Sequence, residues 1–332
     1  MKVSFTGAPE AIDRSLGYGE ASTHVMNTFE KLGVECLIKS KEANIGISFN
    51  MPSYYLFGKD QYKIGYTPWE STELLFGWHH GLEHVDELWT TSPWCADLFS
   101  KHTSKPIFVY EHGITNDWVP LKKEYNKSRP FRFLHVGEPA SRKDAQLVVN
   151  TFINLFGDDP NYELILKCSR LNTTRVKDPV TGEYDGSPST FYKNIRIIEE
   201  GLTPEQMIGL YNLCDVFVYP SWGEGFGFNP LQAMATGMPT ICTEGWATYA
   251  KYITMPLNAI WWQSPWPETH PGLLMKPDAQ QVKHYMKDVV ENYDKYSDLA
   301  YKNAFLIHKD YNWEKVSKPA VERLQKIQKN HF

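Results

Sequence analysis

A chain of 332 residues is about twice the usual length of one domain, so two domains are expected. Hydrophobic residues make up 42% and charged residues 22%, a globular balance that excludes a disordered or fibrous chain. The net charge of -5 argues against a general nucleic-acid binder. That charge is local. Residues 1–125 hold 16 Asp/Glu against 11 Lys/Arg, while residues 126–332 hold 23 of each, which points to two halves with different tasks. Aromatic residues reach 14%, with 11 Trp and 19 Tyr; such rings fill cores and also stack on sugars and bases. The five cysteines are widely spaced without a CxxC, which reads as free thiols in a reducing compartment. The N-terminus shows no apolar signal core and no run reaches membrane-spanning length, so a cytoplasmic protein without a transmembrane segment is expected.

In chain order, Val3–Phe5 reads as a strand, and a loop with Gly17-Tyr18-Gly19 follows. A helix is predicted from Glu20 to about Leu32, where Val25, Met26, Phe29 and Leu32 recur at helical spacing and Gly33 supplies a stop. Strands are predicted at 36–39, 45–49, 62–66, 87–91 and 107–111, with helices at 72–81 and 93–101. The charged stretch LKKEYNKSRP, Leu121–Pro130, has no apolar period and reads as a linker. A second series of strands follows at 131–136, 162–167, 195–198, 216–219 and 240–242. Helices are expected at 144–156, 204–213 and 230–236, and again from Asp278 to the end. Residues 169–190 form an irregular polar insertion. Two alternating β/α series imply two doubly wound α/β domains. The segment NAIWWQSPWPETHPG, with Trp261, Trp262 and Trp266, reads as an aromatic loop. His79, His80 and His84 with Glu83 lack a visible third metal ligand and read as a solvent-facing helix end.

The stretch VYPSWGEGFGFNPLQAMATGMPTICT, Val218–Thr243, carries Pro220-Ser221, then Glu224-Gly225-Phe226-Gly227, a helix, and Gly237-x-Pro239. Glycines at 225 and 227 let backbone N–H groups approach a ligand, and Pro230 suits a first helical position. A helix N-terminus there favours an anion such as a diphosphate. The string resembles the donor-binding signature of the family 4 glycosyltransferases. That resemblance implies the GT-B fold: two Rossmann-like domains facing a cleft, with a C-terminal helix crossing back to the first. The expected division is 1–124 for the acceptor side, 125–305 for the nucleotide-sugar side, and 306–332 for the returning helix.

The resemblance also implies site residues. Glu224 would bind the donor sugar. Arg142 and Lys143, in HVGEPASRKDAQLVVNTF, would hold the pyrophosphate, although Glu138 stands where the family often has Arg. Lys167 is the candidate replacement cation. Gln232 occupies the place of the family's second Glu, which is expected on the ribose; an amide offers one acceptor and one donor group where a carboxylate offers two acceptors. Gly17 and Gly19 would close over the phosphates. Glu70, in YTPWEST, would stand near a reacting sugar, although a Glu at a helix start also suits the dipole. His112, in EHGITNDW, would sit at the cleft. The implied activity is retaining transfer from a nucleotide diphosphate sugar, UDP- or GDP-linked, without metal or other cofactor. A glycan or lipid-linked glycan is the expected acceptor. Two alternatives remain open. One is transfer to hydroxymethylated DNA bases, motivated by the basic cluster Arg170, Arg175, Lys177, Lys193 and Arg196. The other is a sugar-nucleotide-binding protein of weak activity, motivated by Gln232.

Overall fold

The computed structural model describes residues 1–8, 17–137, 142–168 and 192–332. The first domain contains β1 (Lys2–Gly7), α1 (Gly17–Lys31), β2 (Glu35–Ile38), β3 (Ile45–Phe49), β4 (Tyr62–Tyr66), α2 (Trp78–Glu83), β5 (Glu87–Thr90), α3 (Pro93–Ser100) and β6 (Ile107–Val109). Its strands form one parallel sheet in the order β2-β1-β3-β4-β5-β6. Every residue of β3 is buried, as expected for an inner strand covered on both faces. Ala21, Val25 and Phe29 recur every fourth residue on α1 and bury that face against Val3, Phe5 and Ile47.

The second domain contains β7 (Phe131–Val136), α4 (Ala145–Phe156), β8 (Tyr162–Lys167), β9 (Ile195–Ile198), α5 (Pro204–Leu213), β10 (Val216–Tyr219), α6 (Phe228–Ala235), β11 (Thr240–Thr243) and β12 (Met255–Leu257). Its parallel sheet runs β12-β11-β10-β7-β8-β9. The chain moves outward from β7 to β9 and then restarts on the other side at β10. The crevice beyond the carboxyl ends of β7 and β10 is therefore the topological switch point, where ligands of open α/β sheets bind.

Several sequence expectations shift. The helix expected at 72–81 begins only at Trp78, because Gly77 adopts a left-handed φ of 83° just before it and Thr72 pairs elsewhere. Pro230 is not the first helical residue; α6 starts at Phe228, capped by Gly227 in a left-handed conformation. The aromatic loop is a hairpin of β13 (Ala259–Gln263) and β14 (Leu273–Pro277), separate from both main sheets. The stretch Leu121–Pro130 is not a free tether. The Leu121 N–H donates to the Thr236 carbonyl, and the Lys123 Nζ is buried on the carbonyls of Tyr211 and Asn212, where the last turn of α5 leaves acceptors unpaired.

Two helices, α7 (Ala279–Glu291) and α8 (Tyr293–Asp310), cover the second domain, and Ile307 of α8 is in its core. The chain returns at α9 (Trp313–His331), which inserts Trp313, Val321, Leu324 and Ile327 into the core of the first domain. The returning helix itself begins at Trp313. Arg323 of α9 anchors on buried Glu87 of β5 at 2.5 Å. No helix among the described residues is long and apolar enough to cross a membrane.

Candidate active site between the two sheets

The site is built from the loops that leave β4, β7 and β10. The loop after β10 presents Glu224, 7% exposed. Its Oε1 accepts hydrogen bonds from the Tyr219 hydroxyl at 2.7 Å and the Ser221 hydroxyl at 3.1 Å. Its Oε2 accepts from Arg142 Nη2 at 3.1 Å. Arg142 leaves the turn after β7, and its Nη2 also donates to Glu70 Oε1 at 2.8 Å. Glu70 belongs to the first domain, in the loop after β4. One guanidinium nitrogen therefore joins a carboxylate from each side of the cleft.

Burial works against the charge of Arg142, but Glu224 and Glu70 outweigh it and keep the guanidinium firmly protonated. Burial likewise pushes Glu70 upward, yet Arg142 and then His270 overcome it and bring its carboxyl down to about 2. Among the described residues, Arg142 Nε is buried without a hydrogen-bond partner. A buried, unpaired donor on a permanent cation is costly unless an acceptor joins it. Neutral His135, below the same turn, has its Nδ1 on the Val218 carbonyl at 2.8 Å and its Nε2 unpartnered. Burial pushes His135 down to about 4.

The two domains meet backbone to backbone. A Cβ at Gly223 would lie 2.5 Å from the Glu70 carbonyl oxygen, and one at Gly225 would lie 2.3 Å from Pro68 Cβ. The Thr91 hydroxyl donates to the Gly225 carbonyl at 2.7 Å. The room left by Gly225 is thus filled by the first domain. At Gly227, whose φ is 83°, a side chain would strike Tyr249 and Trp246. Phe226 is buried with its ring 5.0 Å from that of His112, which also stacks on Phe228 at 4.8 Å. Burial pushes His112 down to about 3, so it is neutral.

The remaining predicted residues are placed as follows. Lys143 lies beside Arg142, its aliphatic chain over Gly137, where an added Cβ would come within 2.6 Å of Lys143 Cδ. Lys167 ends β8; its carbonyl accepts from the Gly137 N–H, and its Nζ donates to the Cys168 carbonyl at 2.6 Å. Gly17 starts α1 and Gly19 lies in its first turn, so this glycine segment is helical from residue 17. Tyr18 between them places its hydroxyl 3.3 Å from the Thr67 hydroxyl. Gln232 is engaged with the first domain: its Nε2 donates to Glu20 Oε1 of α1 at 3.1 Å. That pair lines a seam cavity of about 10 Å³ with His24 and Trp313. Of the basic cluster, Lys193 and Arg196 are exposed, while Arg170, Arg175 and Lys177 lie outside the described residues, as does Glu138. His84 Nδ1 bonds the His80 carbonyl, and no group of three or more His, Cys, Asp or Glu among the described residues could hold a metal.

Two participants carried no local signal. His270, in the hairpin between β13 and β14, brings its Nε2 to 3.6 Å from Glu70 Oε2 and stacks on Trp69 at 5.4 Å. Glu20 meets Gln232 only because α1 and α6 face each other across the seam.

Residues 193–304 match the family model described as glycosyl transferases group 1. The serotype-specific mannosyltransferase WbdA of Escherichia coli is 29% identical over 126 residues, 38% of this chain and 14% of that protein. The chain therefore spans only a small part of that relative's length. Among solved structures, the sucrose-phosphate synthase of Thermosynechococcus elongatus superposes with a TM-score of 0.72 at 12% identity, covering 98% of both chains. Anabaena HepE in complex with UDP-glucose gives 0.63 at 11% identity, over 98% of this chain and 100% of that one. The lipopolysaccharide outer core galactosyltransferase WaaB gives 0.64 at 14% identity, with the same coverage. The architecture is GT-B, two parallel-sheet domains facing one cleft.

Proposed function

We propose that this chain, a group 1 glycosyltransferase of GT-B fold, moves a hexose from a nucleotide diphosphate sugar to a hydroxyl of a glycan or lipid-linked glycan, with retention. The observation that carries this reading is Arg142. It is a buried cation at the switch point whose Nε donor is unpaired, with Lys143 next to it in the chain. The Asn229 side chain, in the first turn of α6, bonds the Val136 carbonyl at the end of β7, so the helix start and the basic turn share one edge. A diphosphate fits that set: it accepts from a guanidinium, an ammonium and helix N–H groups at once.

In this mechanism Arg142 and Lys143 stabilise charge as it develops on the leaving diphosphate. Glu224, held by Tyr219 and Ser221, accepts hydrogen bonds from donor-sugar hydroxyls. The acceptor hydroxyl attacks the anomeric carbon on the face the diphosphate leaves, and its proton passes to a leaving phosphate oxygen. Contact of Pro68–Glu70 with Gly223–Gly225 excludes water from the bond being broken. Cationic side chains supply the charge compensation, so the scheme calls for no metal. Mannose is the first sugar to try, since WbdA is a mannosyltransferase. UDP- and GDP-linked hexoses are the donors to compare.

The test is turnover of UDP- and GDP-hexoses against a glycan panel by the wild type and by Glu224→Ala, Lys143→Ala and Arg142→Lys. Each variant is expected to lose on the order of 10²-fold or more in kcat without losing its folded spectrum. Normal turnover by both Glu224→Ala and Lys143→Ala would remove this site assignment. Donor binding without turnover on any acceptor would instead favour a binding protein.

A further inference from the structure

We infer that the β13–β14 hairpin is a clasp across the cleft, and that His270 at its tip is a positioning residue that acts on Arg142 through Glu70. The inference rests on the function proposed above. The hairpin belongs to the second domain but is held by the first. The Thr72 N–H donates to the Leu273 carbonyl at 3.0 Å, and the Leu273 N–H donates to the Thr72 hydroxyl at 2.7 Å. Gly272, at φ 80°, gives these groups room: a Cβ there would lie 2.5 Å from Thr72 Oγ1.

The tip is stiff. Pro265, Pro267 and Pro271 fix three backbone angles, and the N–H groups of Thr269 and His270 both bond the Trp266 carbonyl. His270 is thereby set flat on Trp69, its ring 14° from coplanar, with Nε2 facing the carboxylate oxygen of Glu70 that Arg142 leaves free.

The same hairpin reaches Arg142 from behind. The Met275 N–H of β14 donates to the Trp222 carbonyl at 2.7 Å, and the Trp222 N–H donates to the Arg142 carbonyl at 2.8 Å. Trp222 is further fixed by its indole N–H on Asp144 at 2.8 Å and by the edge of Trp266. One element therefore holds the backbone of Arg142 through Trp222 and its guanidinium through His270 and Glu70. Two routes from one rigid hairpin explain how a cation on the second domain keeps its orientation while bound to a carboxylate of the first. A loose guanidinium would still attract a diphosphate but would meet its leaving oxygen in the wrong geometry.

The experiment compares the wild type with His270→Ala, His270→Gln, Glu70→Gln and the His270→Ala/Glu70→Gln pair, measuring kcat, donor KM, donor hydrolysis and the thermal midpoint. His270→Ala should lower kcat by roughly 10- to 100-fold with little change in donor KM, since alignment rather than attraction is lost. It should raise hydrolysis relative to transfer. His270→Gln, whose side-chain amide can offer Glu70 an N–H, should recover most of kcat. The double variant should be no slower than Glu70→Gln alone. Unchanged kcat in His270→Ala, independent effects that multiply in the pair, or a kcat loss that merely follows a lowered midpoint would each overturn the inference. Absence of wild-type turnover on every donor would count against the proposed function instead, because the wild type is the reference in the same assay.

Discussion

Arg142 decides the charge balance of the closed cleft. It holds Glu70 of one domain and Glu224 of the other on a single nitrogen, so separating the domains leaves Glu70 without its main cation. Proton linkage follows. Glu70 has an ordinary value of 4.5 and falls to about 2 in the closed cleft. Its contribution to closure is present above 4.5 and is lost as pH falls toward 2, and it is worth on the order of 3 kcal/mol. The radius of gyration from solution scattering should therefore rise between those values. Glu70→Gln should already be more open at neutral pH and show no further opening across that window. An acid opening unchanged by the substitution would assign the effect elsewhere. Neutral His112 acts on unfolding in the same direction, because its value drops from 6.5 to about 3 and protonation below 6.5 favours the unfolded chain. Arg142, Glu224 and Glu70 were picked out by the resemblance of their strings to the family 4 glycosyltransferases, and the fold brings the three side chains together. His270 was not picked out. It lies 200 residues from Glu70, and nothing local says that a proline-fixed loop will land on a carboxylate of the other domain.

At the scale of elements, α1 and α6 show how a departure in a motif is absorbed by the fold. Gln232 is 5% exposed and spends its amide on Glu20, whose carboxyl burial pushes upward and that hydrogen bond pulls back. A carboxylate at 232 would face a second carboxylate in a nearly closed seam. Gln232→Glu should therefore destabilise the closed protein by about 1–3 kcal/mol, read as a lowered thermal midpoint above pH 7. The exchange Glu20→Gln/Gln232→Glu keeps one amide and one acid in contact and should restore most of the loss. Equal losses in the single and exchanged variants would show that the pair does not interact. Strand ends were read closely from sequence because the inner strands are short buried runs rich in β-branched and aromatic residues, unbroken in Val216–Tyr219 and interrupted by Gly46 and Ser48 in Ile45–Phe49. The β13–β14 hairpin was misread as loop. Four of its five first-strand residues are exposed, so no buried alternation marks it, and its pairing is fixed by distant partners at Thr72 and Trp222.

For the whole molecule, the question is what makes two separately wound domains behave as one unit. The chain crosses between them twice, near Ile114 and near Asn312, and the crossings are bridged to each other. After the second crossing, α9 gives its apolar face to the first domain, with Leu324 fully buried, the Tyr110 and Ser317 hydroxyls 2.6 Å apart, and Arg323 on Glu87. At its start, Trp313 stacks on His24 of α1 and lies against Phe228 of α6, so it touches both domains. The first domain's core is therefore incomplete until the end of the chain is in place, although β1 to β6 all precede residue 110. Only two residues separate α8 from α9, and both helices are amphipathic. The consequence is a coupling that a core truncation should expose. Leu324→Ala removes buried side-chain volume from the first domain alone and should cost that domain about 2–5 kcal/mol. The second domain keeps all of its own core. Calorimetry should then resolve a low-temperature transition for the first domain and a later one for the second, where the wild type, coupled through α9, is expected to melt in a single step. Addition of a nucleoside diphosphate, proposed above to bind Arg142 and Lys143 of the second domain, should raise the later transition more than the earlier one. A single transition that simply moves down in Leu324→Ala would mean that the seam at Gly223–Gly225, rather than α9, carries the cooperativity.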